Sequence, residues 1–466
     1  MKIKYLLITL MGLFIYSSCS EDKMDEIGTN PNSPTEVPIK LLISQATLTT
    51  AFETFGVDLA WYSSVFCEQT TGVHGQLETA DKRTGINSTI GNNSWNGIYS
   101  GTLNDLKIII AQGSEGGSEE GYWTAVGIAK TLTALNYSVL TDLWGDIPYT
   151  EALMGSENRT PVFDSQESVY GNLITLLDAA IVDLGKTSSG TPGSSDFFYE
   201  GESSQWIKAS YAIKARLENH LSNIDSQGSA TKTLAALSNA FTSADDNMVF
   251  SSYTTDATGE NPWFQEENDR KHHAVSNTIF SLMDGLSDPR IPIFFGQIGG
   301  QYVPAPNGTA ENDQGGTIYS RPSSTYLQAD TPQPIVTYDE LKFIEAEANL
   351  RLSNTTEAYD AYLIAIEEAL NRENVAADDI ATYLAQSNVA VGASNLTLET
   401  IIKQKYISLW LFNPIEAYND YRRTRFPTLQ NTVGPAPERF PYPNDEVSSN
   451  PNTPDISYTQ KTWWAK

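Results

Sequence analysis

Cysteine is almost missing from this chain. Only Cys19 and Cys67 occur in 466 residues, so no disulfide framework holds the fold. Histidine is nearly as scarce: the four are His74, His220, His272 and His273. They form no HExxH, and adjacent His272 and His273 are poorly placed to share one ion, because residues four apart are the ones that share a helix face. No metal centre or other cofactor is expected. No DxDxDG loop is present either, and only calcium held by surface carboxylates stays open. The chain contains no GxGxxG, P-loop or GxSxG, so nothing points to dinucleotide, nucleoside-triphosphate or serine-hydrolase chemistry. Positive charge is also short. Against 29 Lys and Arg stand 57 Asp and Glu, a net charge of −28, which disfavours nucleic-acid binding because phosphates need a basic footprint. The apolar run near the start, Tyr5 to Tyr16, is too short for an ordinary membrane-spanning helix.

That run has a different meaning. Lys2 and Lys4 precede it, and the small residues Ser17 and Ser18 follow it, directly before Cys19. The layout is that of a secretory leader over residues 1–18, and a Cys after small residues points to lipidation. Acyl chains on Cys19 would hold a folded domain at a bilayer, each buried methylene contributing about 0.8 kcal/mol. Tyr16 stands where bacterial lipoproteins usually carry an aliphatic residue, so an ordinary leader with an incidental Cys is the alternative. If Cys19 is acylated, Cys67 has no partner. Its setting, "SSVFCEQT", suits a small buried hydrophobe. Residues 19–36, beginning "CSEDKMDE" and continuing into Pro and Asn, are too polar to pack and read as a tether.

Beyond residue 37 the apolar spacing is mostly helical. Helices are expected from about Lys40, at 92–112, Tyr122–Leu143, 165–186, 203–224, 230–243 and 272–286. "YDELKFIEAEANLRL" and "TTEAYDAYLIAIEEALNRE" form a helical hairpin of tetratricopeptide type, with small Ala at close contacts and Thr355 or Thr356 as N-cap. A further helix covers about 397–412, and the segment from Phe426 to Pro454 is extended and Pro-rich. Length alone suggests about three domains, yet no break in composition separates them. Residues 37–466 are therefore taken as one domain with irregular inserts at 187–200, 244–271 and 287–336. Long inserts of this kind usually carry function.

Three groups of residues invite a chemical reading. The carboxylates Glu266, Glu267 and Asp269, and Glu345 with Glu347, could supply the pair that a glycosidase needs, although in so acidic a chain solvated surface acids are the plainer reading. Arg422, Arg423 and Arg425 lie among Tyr418, Tyr421 and Phe426 in "YNDYRRTRFP". They could hold an anion, or pair with carboxylates and stack on rings. The third group combines aromatics with planar amides, as sugar sites do. It comprises Asn261, Trp263, Phe264 and Gln265 in one insert, Tyr302 and Tyr319 around the Gly-rich loop, and His74 and Gln76 in "TTGVHGQLE".

Several ordered segments are similar to the SusD/RagB family of outer-membrane nutrient-binding lipoproteins from Bacteroidetes. They are "TNPNSPTEVPIKLLISQA", "TDLWGDIPYTEAL", "QWIKASYAIKARL", "SDPRIPIFF", "TYDELKFIEAEANLR", "IIKQKYISLWLFNPIEAYNDYRRTRFP" and "RFPYPNDE". Acids after a lipidated Cys also resemble the export signal of surface lipoproteins in that phylum. The chain departs from the pattern at Tyr406, where Trp is usual, and at "NPIEAY", where a Gly-bearing turn is commoner. The resemblance implies a mainly α fold of about four tetratricopeptide-like helix pairs with a loop-rich ligand face. It implies no enzymatic activity, a lipid anchor facing the medium, and a TonB-dependent β-barrel transporter as partner, to which the lipoprotein delivers oligosaccharide or peptide. It assigns no ligand residue, because its motifs belong to the scaffold. A surface glycan-degrading enzyme and a purely structural helical-repeat adaptor are the competing functions.

Overall fold

The computed structural model describes residues 37–466. The leader, the tether and Cys19 lie outside the described residues. Along the chain the elements are α1 (Ile39–Thr49), α2 (Asp58–Phe66), β1 (Thr70–Gly72), α3 (Gly75–Asp81), α4 (Asn92–Gly97), α5 (Asn104–Gly113), α6 (Trp123–Trp144), α7 (Gln166–Leu184), α8 (Ser203–His220) and α9 (Ser226–Leu237). They continue with β2 (Met248–Phe250), α10 (Pro262–Asp269), β3 (His273–Val275), α11 (Asn277–Gly285), α12 (Ile291–Phe294), β4 (Gln333–Val336), α13 (Tyr338–Arg351), α14 (Thr355–Arg372), α15 (Ala377–Leu384), α16 (Leu398–Ser408), α17 (Pro414–Thr424) and α18 (Asn444–Ser449).

The fold is mainly helical, as expected, and its helices pack in sequential pairs: α6 on α7, α8 on α9, and α13 on α14. Central α6 is buried on nearly every face, which is why its sequence shows little polar stripe. It ends where Gly145 takes φ +82°. A Cβ there would come within 2.6 Å of Arg439, so "DLWGDIPY" is a scaffold turn that only Gly fits. The α13–α14 hairpin closes tightly because Ala346, Ala358, Ala361 and Ala365 occupy its seam, all buried. Asn354, not Thr355 or Thr356, precedes α14 as its cap residue, and its side chain does not cap it.

Two departures shape the functional face. The expected helix 272–286 is divided: His273–Val275 pairs as β3 antiparallel to β1, with Gly72 opposite His273, and α11 starts only at Asn277. Backbone pairing of this fully buried segment with β1 outweighs its helical spacing. The insert 244–271, expected to be irregular, contains α10, whose Pro262 sits in the first turn behind the Asn261 cap. That is the favoured place for Pro in a helix. Helices α2 and α3 also fall where no helix is evident from spacing.

The basic knot takes the structural role. Buried Arg423 pairs with Glu347 and with Asp420 (2.7 Å). Arg422 donates to the carbonyls of Asp142 and Glu438 and lies over the rings of Tyr418 and Trp464, at 4.3 and 4.9 Å. Arg425 reaches Glu438 at 2.9 Å. Around them, His220 bonds Glu416 (2.7 Å) and Arg216 grips Glu340 with two bonds (2.7 and 2.6 Å). Burial raises the Glu347 carboxyl, but Arg423 and Arg351 outweigh it and bring it down to about 2. "SDPR" is also internal: Arg290 chelates Asp288 at 2.9 and 2.6 Å, both side chains buried.

Candidate functional site

The β1–β3 ribbon is the floor of the loop-rich face. Beyond β1 the chain turns through His74 and Gly75 into α3. Gly75 has φ +58°, and a Cβ on it would lie 3.0 Å from the His272 ring, so only Gly lets the two segments close here. The closure brings the His74 and His272 rings to 5.1 Å. From a third segment, the Asn312 amide donates to His74 Nδ1 (2.7 Å) and to Glu78 Oε2 (2.9 Å). Exposed Gln76 accepts from Tyr62 Oη at 3.3 Å through its carbonyl, and its amide nitrogen has no partner among the described residues. Half-buried Trp61, from α2, flanks the ribbon with its ring 6.5 Å from His273.

Beneath this rim a carboxylate meets an imidazole. Glu266 Oε2 is 2.8 Å from His273 Nδ1, both side chains 2% exposed. The two atoms are close, but the N–H is not aligned for a geometric hydrogen bond. Burial raises Glu266, yet His273, with the His272 N–H bond, holds it below the ordinary carboxylate range. Burial pushes neighbouring Glu267 up to about 7 against the pull of Arg321, with the Glu266 charge adding to the rise. Asp81, at the end of α3, is likewise pushed up to about 7 by burial, despite accepting the Gly308 N–H. Burial also lowers His272. The face therefore offers amide and imidazole groups near an indole, and burial raises two of its acids, Glu267 and Asp81. Such a set hydrogen-bonds neutral polyols well and attracts ions weakly.

The residues singled out from the sequence distribute unevenly. His74 and Gln76 lie on this rim. Trp263 differs from the exposed ring expected of it: it is 1% exposed, packed 5.2 Å from the His273 ring. Asn261 is fully buried. Its carbonyl accepts from the Trp263 and Phe264 backbones and its amide donates to Thr331 O, so it caps α10 and has nothing left for a ligand. Phe264 and Gln265 are half-buried on α10. Tyr319 is 8% exposed and accepts the Glu311 N–H (3.1 Å). Tyr302 packs 5.9 Å from Phe280. Of the acids, Glu345 meets Lys342 on the surface at 2.7 Å and Glu347 is spent on Arg423. Cys67 is fully buried, with burial driving its thiol far up. Trp61, His272 and Asn312 escaped sequence reading. The only local signal was the Gly after His74.

Among the described residues, no group of three His, Cys, Asp or Glu side chains could hold a metal ion, and no helix is long and apolar enough to cross a membrane.

The family described as "Starch-binding associating with outer membrane" matches residues 31–443. A SusD/RagB family protein from Bacteroides thetaiotaomicron is 30% identical, with TM-score 0.82, over 92% of this chain and 99% of that one. A chitin-binding SusD homologue from Flavobacterium johnsoniae shares the fold, at 20% identity and TM-score 0.78 over 92% and 98% of the two chains. A SusD homologue from Bacteroides uniformis does so at 21% identity and TM-score 0.76, over 92% and 100%. No curated protein matches the chain. By the extent of these matches the chain belongs to the SusD-like family of starch-binding proteins that associate with the outer membrane.

Proposed function

We propose that this protein is a non-catalytic capture protein for a neutral oligosaccharide at the cell surface. On this reading residues 1–18 are the leader, Cys19 carries the lipid anchor, and 37–466 is one capture domain. The domain hands its ligand to a TonB-dependent β-barrel transporter. The observation that carries the reading is the convergence of His74, Gln76, His272 and Asn312 from three chain segments beside Trp61. Each amide or imidazole offers a hydrogen bond worth about 1 kcal/mol net, and half-buried Trp61 offers a ring. Many weak bonds give an affinity that allows both capture and release. A tether of residues 19–36 spans about 60 Å when extended, enough for a hinged lid to swing without detaching.

Starch binding in the family description and chitin binding in a fold relative favour a neutral hexose or N-acetylhexosamine chain over a peptide. Purification from native membranes through a C-terminal tag, in mild detergent, should bring a β-barrel of the TonB-dependent class with the protein. Isolation of the protein alone, with the barrel elsewhere in the gradient, contradicts the delivery role. Release of reducing ends from a glycan by the pure protein contradicts the non-catalytic one.

A further inference from the structure

A second concavity, sharing no residue with the β1–β3 face, lies between the 325–334 loop and the end of α14. It has a volume of about 550 Å³, within the range of roughly 300–1,000 Å³ usual for small-molecule sites. Its aromatic wall is Tyr326. That ring is stacked on Trp410 (5.7 Å, 26°) and flanked by Phe294 and Phe412 at 4.8 and 5.5 Å. It is held rigid from behind yet remains partly exposed in the cleft. An aromatic fixed in advance loses little entropy when a ring packs on it.

The polar side of the cleft is equally prepared. Asn247 Oδ1 accepts the Tyr338 N–H at 2.6 Å, which turns its NH₂ group outward as a donor. Asn374 is exposed at φ +55° on the turn after α14. Arg372, the one guanidinium in the lining, is already committed. It donates to both Asp339 oxygens (2.7 and 2.6 Å), to Glu373 (3.1 Å) and to the Ser408 carbonyl (2.5 Å). Two carboxylates thus more than cancel its charge, so the cleft gains nothing from an anionic ligand and repels one.

We propose that this cleft is a second saccharide subsite, taking one or two rings of a neutral hexose or N-acetylhexosamine chain and rejecting uronates. One ring packs on Tyr326, while Asn247 and Asn374 bond its hydroxyl or acetamido groups. The inference rests on the glycan-capture reading and deepens it, because a second contact raises the effective concentration of a long chain at the first face.

The test is calorimetric titration of the full chain with maltoheptaose, chitohexaose and hexagalacturonate. The expected result is two binding events for one neutral probe and none for hexagalacturonate. Tyr326→Ala and Asn374→Gly should each weaken the second event at least tenfold and leave the first. The Asn374→Gly change keeps the left-handed backbone and touches no packed core, so it decides the matter if Tyr326→Ala unfolds the protein. A His74→Ala/Gln76→Ala variant should lose the first event and keep the second. A single event in the wild type, insensitive to both cleft changes, overturns the subsite and leaves glycan capture standing. Silence of the wild type toward both neutral probes overturns the capture reading and the subsite together. Loss of a co-purifying barrel in Asn374→Gly, with all titrations unchanged, shows that the cleft seats a protein and overturns the subsite.

Discussion

Two regions of this molecule bury acidic and basic side chains, and they treat them in opposite ways. In the α8–α13–α17 core, the buried carboxylates Glu340, Glu347, Glu416 and Asp420 each lie within 4.0 Å of a guanidinium, ammonium or imidazole, while Glu218 has only Lys232, at 3.9 Å, among the described residues. Glu347 faces Arg423, Asp420 faces Arg423 and Lys405, and Glu416 faces His220. On the β1–β3 face, charges are left partly unmatched. Glu267 and Asp81 are pushed up to about 7, and Asp81 has no basic side chain within salt-bridge distance among the described residues. Orphaned polar atoms occur in both regions, Trp61 Nε1, Trp263 Nε1 and Asp81 Oδ1 here and Glu218 Oε2 in the core. A matched core locks one geometry. An unmatched face stores free energy that a ligand or bound water can recover.

The largest expected effect comes from breaking the matched region. Glu347→Gln leaves Arg423 buried without its main counter-charge, and should lower stability by about 3–5 kcal/mol in urea denaturation. A loss below 1 kcal/mol would mean the core relaxes around the orphaned guanidinium and the contrast is weaker than drawn. Trp263→Ala comes next. As a wholly buried ring beneath the face, it should cost about 3–5 kcal/mol, and any loss of ligand affinity should follow from disorder of α10. A variant that folds normally but fails to bind would return Trp263 to direct ligand contact.

The regions should also respond to pH in opposite senses. The Glu347 carboxyl sits at about 2 when folded, against 4.5 when unfolded, so its contribution is present above pH 4.5 and disappears as pH falls toward 2. Asp81 is raised to about 7 from 3.8, so its contribution is greatest below pH 4 and is lost as pH rises through 7. Asp81→Asn keeps an acceptor for Gly308 and removes the ionisation. It should therefore raise stability at pH 8 relative to wild type by about 1–3 kcal/mol and flatten the profile between pH 4 and 7. An unchanged slope in that window would show that Asp81 titrates normally. The smallest expected effect on folding belongs to His74→Ala and Gln76→Ala, within about 0.5 kcal/mol.

The helical pairs were legible in the sequence because α6, α7, α8, α13 and α14 are long runs without an internal Pro, and α14 keeps an apolar stripe at 3.6-residue spacing. The Arg knot was legible too, since three guanidiniums in an acidic chain need partners. The face was only half legible. His74 and Gln76 were found because "TTGVHGQLE" reads as a polar loop. Trp61 hid in α2, a nine-residue helix so buried that its sequence shows no stripe. His272 and Asn312 are forty residues apart in the sequence, and both reach His74 because the backbones of His272 and Asp313 bond Val73. Trp263 misled because "NPWFQE" reads equally as a loop and as a capped helix start, and only the burial of Asn261 and Pro262 decides between them.

The central claim, capture of a neutral glycan on the β1–β3 face, is tested most directly by titrating the full chain with maltoheptaose and chitohexaose, wild type beside His74→Ala/Gln76→Ala. The account predicts saturable binding of at least one probe by the wild type, and an affinity at least tenfold weaker for that site in the variant at unchanged melting temperature. Binding that is identical in the two proteins, or a wild type that binds neither probe, would contradict it.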